Sequence, residues 1–382
     1  MRVLVCDVEA SGPNKANPFG LSNKLACVGL FDGVNYFFVD VEHSSLPYAA
    51  GLEQIAQAFA LAELVIGFNI KYDLHWLRRY IPSLPRKPVF DCQLAQFILN
   101  AQASSYPSLN DVLCHYALHP KDDRIKHEYW DQGRSTLEVP VELLREYNEG
   151  DCRGTHNIYL RQRQLLKGNQ EVLFRLHCDD LLVLQEMEFN GLLYDSDESL
   201  RLAGEIGEQL KDLYDELRPF GNDRAVNWNS PKQCSAVLYG GSIAFKVREK
   251  TERTLKSGEQ KFGERWGELE VAYPRLVDPI EGTELQDGSY KTDEATLRSL
   301  AGGSKETKGL IKLILKVSEL DKLKGTYYEG MPKIIDKMEW PKNTIHANIS
   351  QCVARTGRTA SSKPNAQNMD PRLKPLFYSR YE

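Results

Sequence analysis

The strongest constraint on the fold comes from the opening of the chain, where short apolar runs alternate with turn signals and one run ends in two carboxylates. Arg2–Asp7 is apolar and leads into Asp7-Val8-Glu9. On an extended strand, residues two apart share a face, so both acids can be aimed at one place. Lys24–Phe31 and Asn35–Val41 follow, separated by the turn-forming Asp32-Gly33, and read as a hairpin. Leu52–Leu61 has helical spacing, and Leu64–Asn69 reads as a further strand. From Tyr72 to about Leu166 the pattern is mostly helical, broken by Pro82, Pro85, Pro88, Pro107 and Pro120. Strands first and helices later predict an α/β domain ending near residue 160.

Length and composition bound the rest. The chain has 382 residues, 42% hydrophobic, 10% aromatic and 26% charged, which suits two or three globular domains and excludes disorder over most of the chain. No apolar run approaches the roughly 18–20 residues that cross a bilayer, and the apolar start is too short for a signal peptide. The eight cysteines are scattered, with no Cys-x-x-Cys pair and no Cys/His cluster, which predicts reduced thiols and argues against structural zinc. A cytoplasmic protein is the expectation. Net charge is -5 but uneven: residues 1–160 hold 14 Lys and Arg against 19 Asp and Glu. The last 42 residues hold seven basic side chains against Asp370 and Glu382. An acidic front and a basic tail suit a metal site followed by a polyanion-binding surface, and a solvated basic terminus accounts for the tail equally well.

Beyond the first domain, residues 169–219 read as two amphipathic helices around a turn at Asn190-Gly191. Residues 241–291 are rich in Gly and charge without a clear period, and read as an extended or partly mobile insertion. Its Lys246, Arg248, Lys250, Arg253, Lys256 and Lys261 face Glu249, Glu252 and Glu259, which suits a clamp-like DNA contact, a processivity-partner site or a solvated loop. Thr292 reads as an N-cap with Asp293 and Glu294 in the first turn. Leu310, Leu313, Ile314, Val317, Leu320 and Leu323 mark a long helix, and the region from Ile345 onward is polar, basic and strand-or-loop in character.

Three small motifs gain weight together. Asp7-Val8-Glu9 is followed by Asn69-Ile70-Lys71-Tyr72-Asp73, then by Tyr147-Asn148-Glu149-Gly150-Asp151, whose Tyr and Asp share a helix face at i and i+4. Each alone is weak, since composition supplies such short patterns by chance. Their order within one domain is far more informative. Phosphodiester cleavage needs a hydroxide nucleophile and neutralised charge on the attacking and leaving oxygens, which two divalent ions about 4 Å apart supply. Hard Mg²⁺ or Mn²⁺ ions take oxygen ligands, and carboxylates from separate elements can hold a pair.

These motifs resemble those of the DEDD 3′–5′ exonucleases, in the branch with Tyr rather than His before the last Asp. The resemblance implies a ribonuclease-H-like fold, two bound divalent cations, metal-ligand roles for Asp7, Glu9, Asp73 and Asp151, and a water-positioning role for Tyr147. It further implies that Asn69 and Tyr72 line the cleft beside a single-stranded DNA 3′ end. Asp91, in Val89-Phe90-Asp91, resembles a supporting acid of the same domain.

The second half resembles family A DNA polymerases. Glu186-Met187-Glu188-Phe189-Asn190-Gly191-Leu192-Leu193-Tyr194-Asp195 is similar to the family's entry segment to the polymerase region. Asn227-Trp228-Asn229-Ser230-Pro231-Lys232-Gln233 and Lys322–Tyr327 resemble thumb segments. Arg355-Thr356-Gly357-Arg358, followed by Ser361–Asn368, resembles the family's T-G-R-L-S-S-x-x-P-N-L-Q-N stretch, with Thr359, Ala360 and Ala366 departing from Leu, Ser and Leu. By that resemblance Arg358 donates to the minor-groove edge near a primer terminus, and Asn365 and Gln367 contact primer-template duplex. Minor-groove acceptors are nearly alike for every base pair, so such contacts test pair geometry rather than sequence.

The implied layout is an exonuclease domain over 1–160, a mainly helical thumb over 161–340 with the insertion at about 241–291, and the start of a palm over 341–382. Beyond Asn368 there is no Asp-Tyr-Ser, no Lys-x6-Tyr-Gly and no His-Asp-Glu, the motifs that carry the family's palm and fingers chemistry. DNA synthesis is therefore expected only with a second polypeptide supplying palm and fingers, an arrangement most like a split bacteriophage replicative polymerase acting in a bacterial host cytoplasm. A standalone exonuclease with a DNA-gripping thumb, and a non-catalytic assembly or clamp subunit, are the competing readings.

Overall fold

The computed structural model describes residues 2–12, 16–43, 49–103, 105–254, 260–300 and 303–380. Packing divides the chain into two compact units, Met1–Ser196 with Met331–Glu382, and Asp197–Gly330. These divisions do not coincide with boundaries at 160 and 340.

The first unit opens with strands β1 (Val3–Ser11), β2 (Lys24–Phe31) and β3 (Tyr36–Asp40), then helix α1 (Ala49–Leu61), β4 (Leu64–Gly67), α2 (Ile70–Tyr80), β5 (Val89–Asp91) and α3 (Cys92–Leu99). The strands form one five-stranded sheet in the order β3-β2-β1-β4-β5. β1 runs antiparallel to β2 and parallel to β4, so the hairpin half meets the crossover half at β1, the strand that carries the paired acids. Val5, Leu25, Val65 and Ile66 of the sheet are fully buried with Ile55 and Phe59 of α1 and Trp76 and Leu77 of α2. Burying such side chains contributes roughly 1.5–3 kcal/mol each, so this core decides the sheet's register.

Short helices α4 (Leu109–His115) and α5 (Arg124–Glu128) lead to the long α6 (Val141–Leu165) and α7 (Asn169–Asn190), then strand β6 (Leu192–Tyr194). Ser108 starts α4 with a capping box, its hydroxyl and the Asp111 carboxylate each taking the other's backbone N–H. α7 buries Phe174, Cys178 and Leu181 in the main core of this unit, which is why the packing boundary falls at 196 and not near 160.

In the second unit α8 (Ser196–Leu217), α9 (Pro231–Tyr239), β7 (Gly241–Thr254), β8 (Gln260–Tyr273), α10 (Glu294–Ser299) and α11 (Lys305–Lys322) follow in order. Ser230 caps α9, and Pro231 fills its first position. A π-helical turn, Leu323–Tyr328, continues α11, and Ser199 Oγ donates to Tyr328 O at 2.8 Å. The insertion is not aperiodic: β7 and β8 pair antiparallel from Gly241↔Tyr273 to Thr254↔Gln260. Ile243, Phe245 and Val247 share a face with Val271 and Leu269, while Lys246 and Arg248 share the other with Glu268 and Trp266. Lys256 and Glu259 lie outside the described residues. The helix start expected at Thr292 falls one residue later: Asp293 caps α10, accepting from Thr296 N at 3.0 Å.

The first unit is completed by α12 (Gly330–Lys337) and short strands β9 (Thr344–Ile345), β10 (Asn348–Ser350), β11 (Ala360–Ser362) and β12 (Phe377–Tyr378). β12, β6 and β9 form a three-stranded sheet, and β10 pairs with β11. No helix among the described residues is long and apolar enough to cross a membrane. All eight cysteines are free thiols, seven of them buried and Cys114 exposed.

Candidate metal centre

Three elements converge on one set of acids, Asp73 and Asp151 buried and Asp7 and Glu9 half-buried. β1 carries Asp7 and Glu9 opposite Gly29 and Cys27 of β2, and the register shifts just past Glu9. α2 supplies Asp73, whose Oδ1 accepts from the backbone N of Val8 at 2.9 Å, between the two β1 acids. α6 supplies Tyr147, Asn148 and Asp151 within about one turn, all three buried. One ligand oxygen each from Asp7, Glu9 and Asp151 lies within 4.8 Å of the others.

Local sequence explains the convergence. Asn69 starts α2 in the left-handed region, φ 62°, which Asn tolerates better than most residues. The Ile70 N–H donates to Asp91 Oδ2 at 2.7 Å, and Leu94 N donates to Asp91 Oδ1 at 2.9 Å. Asp91 thus caps α3 and fixes the entry to α2, setting where Asp73 falls without joining the cluster. Gly29 lets α6 approach the sheet: a Cβ there would lie 1.6 Å from Asn148 Oδ1. Asn148 Nδ2 donates to Asp7 Oδ2 at 2.7 Å, and its Oδ1 accepts from Tyr36 OH at 2.9 Å, so its amide orientation is defined and Asp7 is held.

The electrostatics are those of crowded anions. Burial first, then the Asp151 charge, pushes Asp7 up to about 7, partly offset by Lys121. Glu9 and Asp73 are driven well above the usual carboxylate range by burial, then by Asp7. Burial also raises Asp151, against the pull of Lys121. Lys121 Nζ pairs with Asp151 Oδ2 and sits 4.5 Å from the centre of the Tyr147 ring. Burial lowers the Lys121 pKa, but Asp151, Tyr147 and the β1 acids outweigh it and keep the ammonium charged. Burial raises the Tyr147 phenol, so it stays protonated, and Trp130 packs edge-on at 5.6 Å. Four acids with one ammonium leave excess negative charge in an oxygen-only donor set, and this fits hard divalent cations.

The remaining sequence-derived residues are placed as follows. Asn69 is exposed at the start of α2, and Tyr72 donates its hydroxyl to Ala16 O at 3.0 Å. Arg358 is exposed. Asn365 accepts from Gln367 N at 3.1 Å and Asn368 N at 3.3 Å, and Gln367 Nε2 donates to Thr359 Oγ1 at 2.7 Å, so both side chains shape their own loop. Sequence reasoning missed Lys121 and Asn148. Asn148 sits inside the Tyr147–Asp151 motif, whereas Lys121 lies in the irregular segment between α4 and α5, with no period to mark it.

The carboxylates are thus gathered on and around β1, the central strand of the mixed sheet. Residues 268–377 match the sequence profile of DNA polymerase family A. DNA polymerase I of Bacillus subtilis (strain 168) is 25% identical over 288 residues, covering 74% of this chain and 27% of that protein. DNA polymerase I of Pseudomonas aeruginosa is 25% identical over 347 residues, covering 87% of this chain and 33% of its own length. The chain therefore spans about a quarter to a third of the length of these two curated relatives. A solved structure described as the POL domain of Pol1 from M. smegmatis in complex with DNA primer-template and dNTP shares the fold, with a TM-score of 0.67 and 17% identity, over 97% of this chain and 52% of that one. The chain is a relative of the family A DNA polymerases.

Proposed function

We propose that this chain removes nucleotides from DNA 3′ ends by metal-dependent hydrolysis, as the proofreading part of a family A polymerase. The observation that carries this reading is the meeting of Asp7 and Glu9 of β1 with Asp151 of α6, beside Tyr147, while Asp73 of α2 is held by the Val8 N–H between the two β1 acids. Those four carboxylates would hold two divalent cations, Mg²⁺ or Mn²⁺, which supply a nucleophile at neutral pH and neutralise charge on the reacting oxygens. The rest falls to the chain itself. The Tyr147 phenol, kept protonated, hydrogen-bonds and orients the attacking water. Asn148 and the Val8 N–H hold Asp7 and Asp73 at fixed orientations, so little reorganisation is needed during reaction. Asn69 and Tyr72, at the start of α2, flank the approach of the terminal nucleotide.

On the polymerase side, Arg358 is proposed to reach the minor-groove edge of duplex DNA, with Asn365 and Gln367 shaping and extending that loop. DNA synthesis is proposed to require palm and fingers motifs that these 382 residues do not contain, supplied by further chain or by a second polypeptide. The test is degradation of single-stranded DNA in Mg²⁺ by wild type and by a D7A/E9A double variant. Metal ions stabilise the transition state by several kcal/mol, so the variant should be slower by roughly 10³-fold or more. Undiminished degradation by a folded D7A/E9A protein sinks the site assignment.

A further inference from the structure

The acid cluster contains a cation that the hydrolytic reading does not use. Lys121 reaches it from the segment between α4 and α5, where the main chain is pinned: Lys121 N donates to Asn110 Oδ1 at 3.0 Å. The next residue, Asp122, pairs with Arg124 at 2.7 Å. Only the flexible side chain is left to move. Its ammonium meets Oδ2 of Asp151, one of the three carboxylates grouped closely enough to hold an ion. The two partners are unequal in exposure, the Lys121 side chain 26% accessible and that of Asp151 5%. A cavity of about 260 Å³ opens beside the pair, lined by Lys121, Asp122, Glu146, Tyr147 and Asp151 among others.

We propose that Lys121 is a resident counter-ion that competes with divalent cations for Asp151, so that loading the site requires its ammonium to swing out into this cavity. The inference rests on reading the cluster as a metal centre. One unit of charge offsets only part of four carboxylates, whereas two divalent ions can offset them all, so the exchange is favourable once metal is present. Lysine suits the role because its point charge rides on four rotatable carbons, and it needs no fixed planar partner. The carboxylates of Asp122 and Glu146 line the cavity and receive the displaced ammonium. While Lys121 holds Asp151 the site is closed to metal, and the apparent affinity falls by the fraction of time it stands open.

The test is Mn²⁺ titration of the full chain without DNA, followed by electron paramagnetic resonance of the free ion, for wild type, K121M and D7A/E9A. Because removing the competitor leaves the site always open, K121M should bind Mn²⁺ about tenfold more tightly than wild type. A residue with a merely structural role would instead weaken binding. Thermal melts in saturating Mg²⁺ provide the second readout: the rise in Tm over the metal-free protein should be larger in K121M, whose metal-free form has lost its counter-ion. Should K121M unfold without metal, K121Q is titrated in its place. Equal or weaker Mn²⁺ affinity in the folded variant, with wild type binding and D7A/E9A not, overturns the role of Lys121 alone. Absence of Mn²⁺ uptake by wild type overturns the metal centre and this inference with it.

Discussion

A methyl group at position 29 would stand 1.6 Å from Asn148 Oδ1 and 2.9 Å from Cys152 Sγ, both on α6 and both buried. Gly29→Ala must therefore push α6 outward or break the Asn148–Asp7 hydrogen bond. Overpacking of this kind costs about 1–3 kcal/mol, measurable as a lower urea midpoint, and hydrolysis should fall as Asp7 loses its donor. His346 is a second informative residue. Its Nδ1 donates to Glu188 O at 2.8 Å, and Phe19 stacks on the ring at 4.1 Å. Burial first, then the neighbouring His75 and Arg380, lowers its pKa to about 4, against the pull of the Glu188 carbonyl and charge. A base with a depressed folded pKa contributes stability above its unfolded value near 6.5, and that stability is lost as pH falls toward 4. Between pH 7 and 5 its protonation should cost roughly 2 kcal/mol, so His346→Gln should flatten the pH dependence of Tm by a corresponding amount. An unchanged slope would remove His346 from the account. The residues legible in sequence were those whose geometry is local: Asp7 and Glu9 by strand alternation, Tyr147 and Asp151 by the helical turn. Asn148 and Lys121 act across 141 and 30 residues of chain, on Asp7 and Asp151 respectively, and no local period marks such contacts.

Between elements, the main polar tie is Glu188 of α7. Its carboxylate takes Lys71 Nζ at 2.6 Å and His75 Nε2 at 2.8 Å, both from α2, and the backbone N of Ile349 in β10 at 2.5 Å. Gln185 Nε2 donates to His75 Nδ1 at 3.3 Å, so His75 is neutral with its proton on Nε2. Burial would raise the Glu188 pKa, but His75 and Lys71 outweigh it and hold the carboxylate below its usual range. The helix that presents Asp73 is thereby joined to the strand segment leading toward Arg358. Breaking a buried, paired charge by removing one partner costs about 3–5 kcal/mol, so Glu188→Ala should lower stability by that order in chemical denaturation. A loss within 0.5 kcal/mol, the usual bound for surface changes, would show that the network contributes little. Helices and strands with one-sided apolar patterns could be read directly. The hairpin β7–β8 escaped because its alternation is broken by glycines and charges, with Arg248 instead reaching Trp266 at 5.3 Å and Glu264 at 3.2 Å across the strands. The helix start at Asp293 escaped by one residue because Thr292 and Asp293 are both good caps, and only the hydrogen bond to Thr296 N separates them.

At the scale of the whole molecule, the acid cluster lies entirely within Met1–Ser196, inside the first compact unit. That unit also takes in Met331–Glu382, the stretch containing the T-G-R segment, so the carboxylate motifs and the T-G-R segment share one packed body. A linear reading of the sequence could not show this, because Phe174, Cys178 and Leu181 of α7 and Cys352 near the C-terminus pack into the core that begins at Leu4 of β1. The α/β architecture was legible from the order of strands and helices, and the relationship to family A polymerases from the resemblance of the Glu186–Asp195, Asn227–Gln233 and Arg355–Asn368 segments. The chemical claim at the centre of the account is that the Asp7–Glu9–Asp73–Asp151 set hydrolyses DNA from the 3′ end with divalent metal. The direct measurement is incubation of the intact chain with 5′-labelled single-stranded DNA, with Mg²⁺ or with EDTA, resolving products on a sequencing gel and identifying the released species by mass. The account predicts a ladder shortening one nucleotide at a time from the 3′ end, nucleoside 5′-monophosphates as product, and no reaction in EDTA. Cleavage that persists in EDTA, or a folded wild-type chain that leaves the DNA intact in Mg²⁺ and Mn²⁺, would contradict it.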